Sequence, residues 1–123
     1  MSIRRLETGP ELAKVKILAG EWSESPHHPS LSEETRLQLR AGRAAVFVSD
    51  SPKGIATLIT TKRPEIGMVE VAVPGQVSAG DFWAGAEPEV IAGAVAMGQR
   101  ALELLTWDAG LRGELADRGW RSV

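Results

Sequence analysis

The hexapeptide "MVEVAV" at residues 68–73 constrains the fold most strongly, because side chains of two kinds alternate along it. Successive side chains of a β-strand point to opposite faces of a sheet. One face of this strand would carry Val69, Val71 and Val73, and the other would carry Met68, Glu70 and Ala72. The chain must therefore build a β-sheet in which other elements cover at least the valine face.

Further β-rich segments precede this strand. "AAVFVSD" (44–50) and "IATLITT" (55–61) are separated by the turn residues "SPKG", and together they predict an antiparallel hairpin over 44–61. The segment "SIRRLE" (2–7) is short and mixed, as expected of an edge strand. The predicted fold class is α+β, with three to four mainly antiparallel strands and helices packed on them.

Three shorter helical segments are predicted around these strands. Apolar residues recur at helical spacing over 10–23, and a second helix is predicted over 30–42, each after a capping-box pattern. Asp108 is expected to cap a last helix that ends at Gly119.

The longest helix is predicted over 88–105, with Pro88 in its first turn. Apolar residues surround almost the whole segment, so this helix should be largely buried. Gly93 and Gly98 each cost about 1 kcal/mol of helix propensity relative to alanine. Their presence predicts that another backbone packs closely against that side of the helix.

Composition excludes several classes of protein. The 123 residues predict one domain over 1–123, and the absence of cysteine excludes disulfides and thiolate-bound zinc. A net charge of −2 with interspersed signs argues against a nucleic-acid-binding face. No apolar run approaches the roughly 20 residues of a membrane-spanning helix. A soluble, cytoplasmic protein is expected.

The histidines and two of the tryptophans have ordinary structural interpretations. His27 and His28 are adjacent between prolines, which favours an exposed loop over a metal site, so no metal is expected. Trp22 and Trp107 fit apolar helix positions or helix ends, whereas Trp120 has no obvious place.

The order of predicted elements resembles the Gcn5-related N-acetyltransferase family over residues 2–80. "SIRRLETGPELAKVKILAGEW" is similar to the family's first strand and helix, and "SLSEETRLQLRAGRAAVFVSDSPKGIATLIT" to its second helix and central hairpin. "GMVEVAVPG" is similar to its fourth strand, against which acetyl-CoA lies in that family. The resemblance implies an acyl-CoA-dependent N-acetyltransferase that acts on a small amine.

The same resemblance implies the site residues. Glu70 on the fourth strand would be the general base, acting on the amine directly or through water. Backbone N–H groups of residues 76–80 would hold the pyrophosphate at a helix N-terminus. The implied cofactor-binding set is Val71, Val73, Gln76, Val77, Ser78, Ala79 and Gly80.

Two features depart from the family pattern. Alignment on Gln76 places Ala79 and Asp81 at the family's two glycine positions, and the charge of Asp81 would repel a pyrophosphate. The family also has a strand after its long helix, for which only the last three residues remain here. A shortened C-terminal end is therefore expected.

Two other functions remain open. The first is a non-catalytic subunit that binds a protein partner or a second copy through a Phe82/Trp83 loop and the Gly93/Gly98 helix. Phe82 and Trp83 could equally fold back over the open end of the sheet. The second rests on "SAGDFWAGA", which resembles the active-site stretch of ribokinase-like sugar kinases, with Asp81 as the base.

Overall fold

The computed structural model describes residues 3–6, 35, 37–38, 41, 44–74, 76–106 and 108–122. The helix predicted over 10–23 lies outside the described residues, as do the two histidines, Trp22 and Trp107. Of the helix predicted over 30–42, residues 35, 37 and 38 are described, and all three are helical.

The described residues form one five-stranded sheet. Its strands, in spatial as well as chain order, are β1 (Ile3–Leu6), β2 (Ala45–Asp50), β3 (Lys53–Thr60), β4 (Ile66–Ala72) and β5 (Ala101–Leu104). The β1–β2, β2–β3 and β3–β4 pairings are antiparallel, and β4 and β5 are parallel. The α+β class and the mainly antiparallel sheet are confirmed, with one strand more than predicted.

Two helices follow β4 in the chain: α1 (Ala79–Ala96) and α2 (Ala109–Asp117). The bounds 88–105 predicted for the long helix are wrong at both ends. α1 begins at once after Ser78, whose hydroxyl caps it by accepting the Asp81 N–H at 3.2 Å. Pro88 therefore lies inside the helix, and the carbonyl of Ala84 cannot receive the usual N–H from position 88. The Nη2 of Arg118 donates to this carbonyl instead, at 3.3 Å.

α1 ends where the chain adopts a left-handed conformation at Gly98, with φ of +78°. The N–H of Gly98 donates to the carbonyl of Val95, and the N–H of Gln99 donates to that of Ala94, each at 3.0 Å. This pair of bonds is the Schellman pattern, which glycine permits at no steric cost. Gly98 thus terminates the helix, and its predicted role in close helix packing is wrong.

One face of α1 packs on the sheet and forms the core. Phe82, Ala86, Val90 and Gly93 recur at helical spacing and are buried. A Cβ on Gly93 would lie 2.8 Å from Cζ of Phe47, so this glycine makes room for an aromatic ring rather than for a backbone. The valine face of β4 belongs to the same core, as the sequence predicts.

The opposite face of the sheet is buried as well. Val46, Ile55, Thr57 and Ile59 on this face are at most 1% exposed, and Thr35 is fully buried. The sheet is therefore covered on both faces, and Glu70 lies on this second face.

α2 packs against α1 through the buried side chains of Leu111 and Leu115. The predicted cap is confirmed, since Oδ1 of Asp108 accepts the N–H of Leu111 at 2.8 Å. The predicted stop is also confirmed, because Gly119 has φ of +89° directly after the helix.

A polar cluster, here called the Glu87 cluster, ties α2 and the segment after it to α1. Oε2 of Glu87 accepts the indole N–H groups of Trp83 and Trp120, each at 3.0 Å. Arg118 donates to Glu87 at 3.2 Å and to Glu114 at 2.7 Å. These two carboxylates, Glu114 first, raise the pKa of Arg118 above its ordinary value. The two indole rings meet edge to face, 5.7 Å apart.

None of the helices in the described part of the chain combines the length and apolar character needed to cross a membrane.

Candidate functional site

β4 and β5 part at one end of their pairing. Their ladder runs from Ile66 opposite Ala101 to Val69 opposite Leu104, where β5 ends, whereas β4 continues to Ala72. Three residues of β4 thus extend beyond the last pair, and we call the point where this pairing ends the fork. The expectation that the chain lacks a strand after the long helix is wrong, because β5 is that strand.

Glu70 is the first residue of β4 beyond its last pair with β5. It is half-buried and lies opposite Thr57 of β3, on the face of the sheet away from α1. The Thr57 hydroxyl donates to the backbone carbonyl of Glu70 at 3.4 Å. The resemblance-based candidate base therefore lies at the entrance to the fork.

Val71 and Val73 point to the other face and pack in the core under α1. Val73 is fully buried, and Val71 is half-buried. A ligand in the fork would therefore meet the backbone of this part of β4 more than these two side chains.

The loop from β4 into α1 carries the predicted phosphate-binding residues. The N–H of Val77 donates to the carbonyl of Pro74 at 3.0 Å, so a turn already uses this donor. Ala79 and Gly80 begin α1, and the first N–H groups of a helix have no acceptor within it. Gln76 and Ser78 are exposed beside them. Of the predicted donors, Ala79 and Gly80 are best placed to meet an anion.

A second helix N-terminus lies beside the first. A Cβ on Gly80 would stand 3.2 Å from the carbonyl oxygen of Gly110, in the first turn of α2. Farther along, Glu87 meets Arg118, so the two helices run in the same direction. Both positive dipole ends therefore lie near the carboxyl ends of the parallel strands β4 and β5. Ligands of sheets with parallel strands commonly bind at this end.

Phe82 and Trp83 do not lie in a loop, so that prediction is wrong, and Asp81 precedes them in the same helix. All three are in the first two turns of α1, where Asp81 is exposed and both aromatic side chains are fully buried. Phe82 packs over Gly54 of β3. This contact agrees with the alternative prediction, in which the two aromatic side chains fold back onto the sheet. Neither ring is available to a partner in this conformation.

No sequence pattern predicted three parts of this region. These are β5, the contact between Gly80 and Gly110, and the Glu87 cluster. The alternation of "ALEL" at 101–104, with Leu102 and Leu104 packed on the core, was the signal for β5. The other two depend on contacts between distant residues and have no local pattern. Among the described residues, no group of three or more potential metal ligands comes together.

Similar folds occur in acetyltransferases of known structure. N-acetylglutamate synthase from Neisseria gonorrhoeae, solved with coenzyme A and N-acetylglutamate, superposes on 100% of this chain with a TM-score of 0.68 and 18% identity. A Trypanosoma brucei acetyltransferase matches 99% of the chain with a TM-score of 0.57 and 16% identity. A candidate acetyltransferase from Agrobacterium tumefaciens matches 100% with a TM-score of 0.56 and 17% identity.

These matches show the fold of the chain as an acetyltransferase-like α+β fold. The chain spans 29% of the N-acetylglutamate synthase chain and 94% of each of the other two. No protein-family model matches the sequence, and no curated protein matches it either.

Proposed function

We propose that this chain is an acyl-CoA-dependent N-acetyltransferase domain of the Gcn5-related type that acts on a small amine. The observation that carries the proposal is the parting of β4 from β5 at Val69, directly before Glu70 and near two parallel helix N-termini. The solved structure of the N. gonorrhoeae synthase with coenzyme A supports an acyl-CoA ligand for this fold.

The residues at the fork fit such a ligand in three respects. Beyond Val69, the backbone of β4 has no β5 partner among the described residues, so a pantetheine amide could pair with it. The N–H groups at the start of α1 offer donors and a positive dipole end to a pyrophosphate. The close contact of Gly80 with the backbone of Gly110 also brings the N-terminus of α2 next to that of α1, so that both can face one anion.

Asp81 is unfavourable for this assignment. Its carboxylate is exposed in the first turn of α1, and its charge opposes a diphosphate nearby. This repulsion should weaken acyl-CoA binding relative to an otherwise equal site with a neutral residue at this position. Solvent screens an exposed charge, so the repulsion should reduce binding without abolishing it.

Glu70 would take the proton that the amine loses as its nitrogen attacks the acyl carbonyl. An acyl-CoA would supply the activated thioester: the C–N bond forms, the C–S bond breaks, and coenzyme A leaves as a thiolate that takes a proton from water. The position of Glu70 at the fork, on the sheet face away from α1, would bring the amine from that face.

Thermal unfolding with and without acetyl-CoA tests the binding half of the proposal. At 100 times the dissociation constant, a ligand adds about 2.7 kcal/mol, which corresponds to a shift of several degrees in a domain of this size. Desulfo-CoA, which keeps the pyrophosphate but lacks the thiol, should shift the melting temperature as well. No shift with either compound would refute a coenzyme A site.

Glu70→Gln tests the catalytic half. The variant should keep the acetyl-CoA shift and lose about 10²–10⁴-fold in acetyl transfer to a small-amine library, the range of general-base contributions. Glu65→Gln, an exposed carboxylate in the turn before β4, is the matched control and should keep full activity. Equal activity of the two variants would refute the role of Glu70.

A non-catalytic assembly subunit remains the alternative function. The exposed apolar side chains of α1 favour it, since a surface of this kind can contact another protein. This alternative predicts no thermal shift with acetyl-CoA.

A further inference from the structure

The side of α1 that points away from the sheet is apolar and exposed. We call it the outer face and define it by Pro88, Ile91, Ala92 and Val95, which recur at helical spacing. Ile91 is 41% exposed and Val95 is 67% exposed, and Pro88 and Ala92 are exposed as well. A helix that is apolar on all sides is normally buried on all sides, but here only one side packs on the sheet.

The outer face is complementary to a reversed copy of itself. If two copies of α1 lie antiparallel about a twofold axis midway between Ile91 and Ala92, Pro88 of one copy faces Val95 of the other. Ile91 of each copy then faces Ala92 of the other. A twofold interface needs this self-complementarity, because the same patch serves both partners. The small side chain of Ala92 would let the helices approach closely near the axis.

The charges at the two ends of the outer face also favour the reversed arrangement. Asp81 is exposed in the first turn of α1, and Arg100 is exposed just past its last turn. Within the described residues, neither side chain has an ion-pair partner. An antiparallel second copy would bring the acidic end of one helix towards the basic end of the other. It would also oppose the two helix dipoles.

We propose that this chain forms a symmetric homodimer in which the outer faces of two α1 helices pack antiparallel. A second copy fits better than an unrelated partner because both the apolar pattern and the end charges match under the same reversal. A single pair of helices buries less than the ~800 Å² per partner of a standard interface, so a weak dimer is expected, with micromolar dissociation. The dimer does not depend on acyl-CoA binding.

Cysteine cross-linking tests the geometry cleanly, because the chain has no cysteine of its own. Ala92→Cys lies next to the twofold axis and should cross-link to itself with a short bismaleimide. Pro88→Cys mixed with Val95→Cys should give a heterodimeric product, whereas either variant alone should give little. Ala116→Cys, exposed on α2, is the matched control and should not cross-link.

Sedimentation velocity over a concentration series gives the second readout. The unmodified chain should pass from monomer to dimer at micromolar concentration. The double variant Ile91→Glu, Val95→Glu should weaken dimerisation about 100-fold or more, because it places like charges on both copies. Both positions are exposed, so circular dichroism should show an unchanged fold.

Three results would overturn the proposal: a monomer throughout the series, a dimer that the double glutamate variant leaves intact, or Ala92→Cys that cross-links no better than Ala116→Cys. A product from Pro88→Cys alone as strong as that of the mixture would refute the antiparallel order.

Discussion

Removal of the Glu87 carboxylate should destabilise the protein more than its place on a helix surface suggests. Glu87→Ala would leave the indole N–H of the fully buried Trp83 without its acceptor, at a cost of about 1–3 kcal/mol. The half-buried Trp120 loses a similar bond, worth about 0.5–1.5 kcal/mol. The ion pair with Arg118 adds up to about 1 kcal/mol, since the two side chains are 29% and 14% exposed.

The expected loss for Glu87→Ala is therefore about 3 kcal/mol, or roughly 10 °C in melting temperature for a chain of this length. Glu87→Gln keeps a carbonyl oxygen for the two indoles but loses the charge and the acceptor of Arg118, because an amide nitrogen takes the place of the second oxygen, so about 1 kcal/mol is expected. Both values are smaller than the ~5–15 kcal/mol stability of an ordinary domain, so the variants should fold.

Urea unfolding followed by circular dichroism measures these differences directly. Glu89→Ala is the matched control, because Glu89 is exposed on the same helix and should change stability by less than about 0.5 kcal/mol. If Glu87→Ala unfolds within about 0.5 kcal/mol of Glu89→Ala, the cluster does not hold α2 to α1, and the reasoning fails.

Two further predictions follow from packing and from charge. Gly54→Ala should cost about 1–3 kcal/mol, because its Cβ would enter the Phe82 ring, and Phe82→Leu in the same chain should recover part of the loss. Unfolding of the single and double variants in urea checks this, and strictly additive losses would contradict it. The pKa of Arg118 is raised in the folded protein. The stabilisation that its charge provides is therefore complete below the ordinary arginine pKa and is lost only as pH rises through the higher folded value. Arg118→Met should therefore cost the same at pH 6 and pH 9, and a cost that changes between them would contradict this.

The sequence predicted β1 to β4 well, because their signal is local. The alternation at 68–73 and the turn residues between β2 and β3 each identify a strand without knowledge of its neighbours. The same alternation placed Glu70 on the face opposite the three valines, which the structure confirms.

The first residue of α1 could not be predicted, because the helix before Pro88 depends on a hydrogen bond from a distant residue. The presence of Pro88 predicts the first turn of a helix, because a proline in the interior of a helix leaves one backbone carbonyl without its N–H donor. Arg118 supplies that donor to Ala84 from α2, which no local pattern reveals. At the other end, helix-forming residues continue past Gly98, and only its left-handed conformation separates α1 from β5.

The position of Glu70 at the fork was likewise beyond the sequence. A strand pattern gives the face on which a side chain lies, but the fork exists only because β5 pairs with β4 as far as Val69. The helical pattern over 88–105 includes the residues of β5, so the register of β5 against β4 does not follow from the sequence.

The spatial order of the strands has a kinetic consequence. Each of the five described strands pairs only with its neighbours in the chain, so none of these five must thread between two others during folding. β2, β3 and β4 form a meander whose connections are short, and closing short loops costs little chain entropy. β1 must instead close the long interval between Leu6 and Val46 to reach β2. Its pairing is the antiparallel step that costs the most entropy, so the meander can form as a nucleus before β1 joins the edge of the sheet.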